Sequence, residues 1–134
     1  MRPETQPTAS KATLWTGRVL STLAVLFLLL DGTMKVGKAA PVLETTGPLQ
    51  IPERVIPALG VVLLASTLLH AIPRTAALGA ILLTGYLGGA TWTHVRLGGP
   101  AFLMVFPGLF GTILWLGLYL RDPRVRALVP VRRR

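Results

Sequence analysis

The 134-residue chain contains no cysteine. Disulfide exchange, thiolate catalysis and cysteine-ligated zinc or iron–sulfur centres are therefore excluded within this chain. Acidic residues are also scarce, with five Asp and Glu against fourteen Lys and Arg. Phosphate loops, nucleophile elbows, zinc motifs and dinucleotide fingerprints are missing as well. The sequence thus lacks the residue patterns on which most enzyme classes depend, and we expect the chain not to be an enzyme on its own.

Charged residues are missing from three successive runs. Residues 55–73, 75–95 and 97–120 contain no Lys, Arg, Asp or Glu, and the runs are 19, 21 and 24 residues long. About 20 apolar residues are needed to cross the hydrocarbon layer of a bilayer as a helix. Because lipid offers no hydrogen bonds to the backbone, the runs are predicted to be helices. Leu-rich blocks without alternating polarity argue against barrel strands.

A further span is predicted ahead of these runs. Its uncharged core, residues 19–30, has signal-peptide length, but Asp31 and Lys35 interrupt the region where cleavage would occur, which favours an uncleaved helix. The predicted fold is therefore all-α, an integral membrane four-helix transmembrane bundle. Its spans run from Trp15 to Lys35, Val55 to Ile72, Thr75 to Val95 and Ala101 to Leu120.

The distribution of basic residues predicts the orientation. Four spans place both termini on one side, and that side carries ten Lys and Arg against four on the other. The excess puts both termini in the cytoplasm. Six basic residues lie at or after Arg121, which predicts contact with anionic lipid head groups and no nucleic acid. The predicted organisation is a cytoplasmic tail (1–13), the transmembrane domain (14–121) and a basic cytoplasmic tail (122–134).

Small residues suggest close helix contacts. Glycine lets membrane helices approach backbone to backbone. We interpret the glycines of the last two spans as packing positions inside the bundle, in preference to a homodimer seam. They are Gly79, Gly85, Gly88, Gly89, Gly108 and Gly111.

Titratable side chains gather at the predicted outer face. Asp31 and Lys35 are i,i+4 neighbours with the acid first, the favourable order on a helix. Glu53, His94 and Arg96 fall at the same face. Such a cluster is a candidate site for a polar head group or a proton. The alternative is that these charges are merely solvated or neutralise one another.

The two histidines do not form a metal site. His70 lies near the predicted inner surface and His94 near the outer one, about 30 Å apart at about 1.5 Å per residue. A bis-histidine metal or haem site within one chain is therefore excluded, and no metal is predicted. Each histidine is interpreted as a polar anchor at an interface.

Four segments resemble the DoxX-like family of small bacterial four-helix membrane proteins. The most specific are IPRT at 72–75 and LGAILLTGYLGGA at 78–90, and DGTMK at 31–35 and LRDPR at 120–124 also fit. The resemblance covers about residues 20 to 130. It implies a multi-pass protein of the bacterial plasma membrane. Related proteins accompany quinone-linked sulfur oxidation or redox-defence complexes, so the resemblance implies an accessory role in a redox or stress system.

Three functional hypotheses follow. The first is an accessory subunit with a membrane or redox partner, with a quinone or lipid bound near Asp31, Lys35 and His94. The second is a non-catalytic scaffold for partner proteins. The third, a small-solute transporter, is less favoured because ionisable residues are missing from the middle of the spans.

Overall fold

The computed structural model describes residues 9–128, so residues 1–8 and 129–134 of the two predicted tails lie outside it. The described part is all-helical, as predicted. A 3₁₀ turn, Glu53–Val55, precedes the third of its helices. The α-helices are α1 (Lys11–Val36), α2 (Ala40–Thr46), α3 (Ile56–Ala71), α4 (Ala76–Arg96), α5 (Ala101–Arg121) and α6 (Pro123–Leu128).

Local chemistry sets where the long helices begin. The Ser10 hydroxyl accepts a hydrogen bond from the backbone N–H of Thr13 at 3.2 Å and so caps α1. Pro57 stands in the first turn of α3, where a missing N–H costs nothing, and Pro100 directly precedes α5. Pro107 lies inside α5, which nevertheless continues to Arg121.

Three of the long helices are long and apolar enough to cross a membrane. They correspond to residues Lys11–Val36, Glu53–Ala71 and Ala101–Arg121. The remaining long helix, α4, has 21 residues but is less apolar, because it contains several glycines and threonines. Its crossing of the membrane stays a prediction, as does the cytoplasmic placement of the termini.

The four long helices form a closed ring in which α1 and α4 each pack against both α3 and α5. Short turns at residues 72–75 and 97–100 make α4 antiparallel to both of its neighbours. The bundle therefore has two ends. The Lys35 end holds the end of α1, the start of α3 and the α4–α5 turn. The Arg121 end holds the start of α1, the α3–α4 turn and the end of α5.

Helix α1 touches its neighbours through glycine at both ends. At the Lys35 end, a Cβ on Gly60 of α3 would lie 2.7 Å from the Val36 nitrogen and 2.8 Å from the Gly32 oxygen. At the Arg121 end, a Cβ on Gly17 would lie 2.9 Å from the Gly117 oxygen of α5. Real side-chain carbons do not approach backbone atoms this closely. The contacts of α1 therefore require glycine.

Two small clusters make up the interior. One contains Ala24, Leu28, Leu63, Leu83 and Leu114. The other, at the Arg121 end, contains Ala76, Ala80, Leu118 and Val125 of α6, so α6 docks against α4 and α5. The outward surface is instead rich in large apolar side chains; Phe102, for example, is 69% exposed. A surface of this kind is typical of a protein whose surroundings are lipid.

We predict that Gly60→Ala lowers the free energy of unfolding by about 1–3 kcal/mol, because the added methyl separates α1 from α3. The matched control is Gly85→Ala on α4, where a Cβ would have no neighbour within 4 Å. That variant should be neutral or stabilising by up to about 1 kcal/mol, since alanine is the better helix former. Thermal unfolding in detergent micelles, followed by circular dichroism, measures both. Equal effects of the two substitutions would contradict the close α1–α3 contact.

Candidate functional site

An ion pair lies at the Lys35 end. Lys35 Nζ donates a hydrogen bond to the Asp31 carboxylate one turn earlier on α1. Both groups are largely shielded, since the side chains of Lys35 and Asp31 are 15% and 29% exposed. Lys35 Nζ also lies 6.0 Å from the ring centroid of Tyr86 on α4. The pair thus neutralises a carboxylate that would be costly near lipid.

The Gly32–Gly60 contact determines where Lys35 sits. A Cβ on Gly60 would also lie 2.9 Å from the Lys35 Cβ, so the stem of this side chain begins in the α1–α3 interface. The ammonium then extends toward Tyr86 of α4. The glycine contact and the ion pair consequently form one structural unit that joins three helices.

The other predicted site residues lie at the same end without joining this unit. Glu53 and Arg96 are exposed, and His94 is half-buried before the α4–α5 turn. Within residues 9–128, no hydrogen bond or ion pair connects these three side chains to Asp31 or Lys35. The predicted head-group or proton site therefore stays a prediction. The same part of the chain holds no group of three or more His, Asp or Glu residues suited to a metal.

His70 is not the interfacial anchor that we predicted. Its side chain is fully buried between α3 and α4, against the backbone at Gly79. Ring atom Nδ1 donates a hydrogen bond to the Ala76 carbonyl at 3.1 Å, because a carbonyl oxygen can only accept. The reason for the burial is Gly79, whose missing side chain leaves room for the His70 backbone. Since α4 separates His70 from His94, no shared site forms.

Most of the predicted packing glycines face outward. A Cβ on Gly85, Gly88, Gly89 or Gly108 would meet no heavy atom within 4 Å. The prediction of contacts inside the bundle is therefore wrong for these four. Gly79 does lie inside the bundle, against His70, and a Cβ on Gly111 would make an ordinary contact of 3.4 Å with Leu87.

Four further glycines that pack inside were missed by the sequence analysis. They are Gly17, Gly32, Gly60 and Gly117. A signal for them exists on α1, whose buried positions are Gly17, Ser21, Ala24, Leu28 and Gly32. This spacing of three and four residues is one face of a helix, and it consists almost entirely of small residues.

A groove between α4 and α5 was also missed. Its volume is about 710 Å³, and mainly apolar groups line it. Trp115 Nε1 donates a hydrogen bond of 2.8 Å to the Thr84 hydroxyl and so links the two helices at the groove. The lining residues are Thr84, Leu87, Gly88, Thr91, Pro107, Gly108, Gly111, Thr112, Trp115, Leu116, Tyr119 and Val125. Two of the outward-facing glycines, Gly88 and Gly108, thus belong to one concave surface.

Comparison with protein-family models matches residues 19–117 to the DoxX-like family. The matched region contains the four long helices, except the first residues of α1 and the last of α5. No curated protein matches the chain. No solved structure matches it either.

We predict that the Asp31–Lys35 pair is measurably coupled. Lys35→Met leaves the shielded carboxylate unpaired and should destabilise the protein, whereas adding Asp31→Asn should recover part of the loss. The double-mutant cycle should give a coupling of about 1 kcal/mol, between the values for exposed and buried pairs. Unfolding of the wild type, both single variants and the double variant in micelles measures it. Additivity within about 0.3 kcal/mol would show that the pair contributes nothing.

Proposed function

The chain belongs to the DoxX-like family, and from that premise we propose that it is a non-catalytic accessory protein of a membrane complex. It presents the face of α4 and α5 to a transmembrane helix of a partner protein. The observation that supports this proposal is the placement of Gly85 and Gly89. These two residues are exposed on α4, and a side-chain carbon at either position would meet no heavy atom of the chain within 4 Å.

Exposed glycines inside a helix need a reason. Glycine in a helix interior costs about 1 kcal/mol relative to alanine. At Gly60 or Gly79 the close approach of another helix explains the choice, but at Gly85 and Gly89 an added Cβ would meet no heavy atom within 4 Å. Their i,i+4 spacing forms the small-xxx-small pattern at which membrane helices approach one another. A helix from outside the chain supplies the missing neighbour.

The groove beside these glycines fits the same role. Gly88 and Gly108 line it, so backbone from α4 and α5 borders a space of about 710 Å³. Large side chains of a partner helix would fill this space while its backbone lies along Gly85 and Gly89. Within this proposal the chain acts as a scaffold and the partner supplies the chemistry.

The proposed membrane arrangement has four crossings. Helix α4 lies antiparallel between α3 and α5, which are both apolar enough to span. At about 1.5 Å per residue its 21 residues extend about 31 Å, the thickness of the hydrocarbon layer. Both termini then lie on the cytoplasmic side of a bacterial plasma membrane, where basic residues from Arg121 onward meet anionic head groups. An association with a redox or stress system rests on the family resemblance alone.

A second candidate is binding of a quinone in the same groove. Its volume falls within the range of about 300–1,000 Å³ that is typical of small-molecule sites. The lining is apolar with a few polar groups, among them Thr84, Trp115 and Tyr119. A quinone is a lipid-soluble ring with two carbonyls, and the groove offers it a concave apolar surface. The Asp31–Lys35 pair does not line that surface.

We predict that Gly85→Leu abolishes cross-linking of the protein to a partner in its native membrane, because the leucine blocks the approach of a helix. Ala65→Leu is the matched control, since Ala65 is an exposed small residue on α3. The control should retain the cross-linked species. Loss in both variants, or in neither, would contradict a partner helix at the α4–α5 face.

Substitutions at two glycines distinguish quinone binding from partner-helix binding, because Gly88 lines the groove and Gly85 does not. If a quinone binds, added menaquinone or ubiquinone raises the melting temperature of wild type and Gly85→Leu, but not of Gly88→Leu. If a helix binds instead, quinone produces no shift in any of the three proteins.

A further inference from the structure

A second cavity lies at the Arg121 end, away from the α4–α5 face. It has a volume of about 190 Å³ and lies between α1, the last residue of α3 and the end of α5. Two arginines, Arg18 and Arg121, contribute to its wall, together with the hydroxyl residues Ser21 and Thr22. Apolar side chains of α1, among them Val25, continue the wall toward the middle of the bundle.

Arg121 is held in place at this cavity by α3. Its Nη2 donates a hydrogen bond of 3.3 Å to the carbonyl of His70, in the last turn of α3. A cation at this position also complements the negative end of the helix dipole. The Nε atom of the same guanidinium is buried and has no hydrogen-bond partner within residues 9–128. One part of the group is thus anchored, and a donor remains unused.

Ser21 supplies a second unused group. The residue is 6% exposed, and its Oγ has no hydrogen-bond partner in the described part of the chain. It lies against Gly117 of α5, where an added Cβ would come within 2.8 Å of that oxygen. Glycine at 117 therefore lets the Ser21 hydroxyl pack directly against the backbone of α5. Buried polar groups are normally paired, so two unpaired ones at one cavity point to a ligand.

The charge at the cavity is balanced in part by Asp122, whose carboxylate interacts electrostatically with Arg121. Among residues 9–128 the one ion pair is that of Asp31 with Lys35, at the opposite end. The neighbouring carboxylate of Asp122 accepts a hydrogen bond from the backbone N–H of Arg124. Arg18 lies 5.8 Å from the centroid of the Trp15 ring, a cation–π contact, and it forms no ion pair with a carboxylate within residues 9–128. The cavity therefore combines two guanidinium groups with a buried hydroxyl.

We propose that this cavity binds the phosphate group of an anionic ligand. Guanidinium groups match the oxygens of phosphate with paired, charge-assisted hydrogen bonds, and a serine hydroxyl adds a further donor. In the proposed topology the cavity lies at the cytoplasmic surface, where both phospholipid head groups and free phosphate are present. The apolar wall at Val25 would then run alongside an acyl chain. This site is independent of the partner helix proposed for α4 and α5.

The test is a titration of the purified protein in uncharged detergent, with melting temperature as the readout. The probes are phosphatidylglycerol, phosphatidylcholine and inorganic phosphate. The primary variant is Arg18→Gln, because Arg121 also supports the end of α3. Arg124→Gln removes an exposed charge at the same end that does not line the cavity, and it is the matched control.

We expect phosphatidylglycerol to raise the melting temperature, with an affinity reduced about tenfold in Arg18→Gln and little changed in Arg124→Gln. The same pattern with inorganic phosphate identifies the free ion as a sufficient ligand; a response to the phospholipid alone identifies the head group. Equal losses in both variants would show only diffuse attraction to positive charge and would overturn the site. So would the absence of any shift. No partner protein is present in the assay, so its failure leaves the scaffold proposal untouched.

Discussion

Close backbone contact at glycine is the constraint on which the structure depends. An apolar side chain gains little free energy when it moves from lipid into the bundle interior, because both surroundings are apolar. Helices in a membrane therefore associate through close packing and a few polar contacts. Helix α1 meets α3 at Gly32 and Gly60, and α5 at Gly17 and Gly117. Helix α4 meets α3 at Gly79. These contacts bring the helices near enough for a small core of leucines and alanines to hold together.

Charged side chains lie toward the two ends of this bundle. At the Lys35 end, charge is neutralised within α1 by Asp31 and Lys35. At the Arg121 end, His70 Nδ1 is bonded to Ala76, while His70 Nε2, Arg121 Nε and Ser21 Oγ are buried without a hydrogen-bond partner within residues 9–128. The first end holds a paired carboxylate, and the second holds the cavity that we propose to bind phosphate. The sequence analysis placed its candidate site at the Lys35 end, with mutual neutralisation of these charges as the alternative.

The α4–α5 face differs from both ends of the bundle because glycines, and not charged side chains, distinguish it. Gly85 and Gly89 face outward, and Gly88 and Gly108 border a groove. None of these positions contributes to the packing of the chain itself. Solute transport is the least supported of the three hypotheses. The exposed glycines and the groove on this face suit contact with another molecule in the membrane, not passage of a solute through the bundle.

The long helices were predictable because charged residues mark their limits. The predicted span from Thr75 to Val95 differs from α4 by one residue at each end, and the span from Ala101 to Leu120 differs from α5 by one residue at its end only. Helices α2 and α6 were missed because seven and six residues carry too little periodicity. Gly85 was misplaced and Gly60 overlooked because composition does not show which way a helix face points. The ion pair followed from spacing alone, whereas the cavity at Arg121 depends on three helices meeting in space.

The most direct test of the membrane arrangement uses the absence of cysteine. Single cysteines can be introduced at Pro73 and Pro100, in the two turns that flank α4. Because the chain has no other cysteine, each introduced cysteine is labelled without background from the protein itself. A membrane-impermeant maleimide applied to intact cells should label Pro100→Cys but not Pro73→Cys, and both should react after permeabilisation. Labelling of both turns, or of neither, in intact cells would show that α4 does not cross the membrane, which would contradict the four-span bundle.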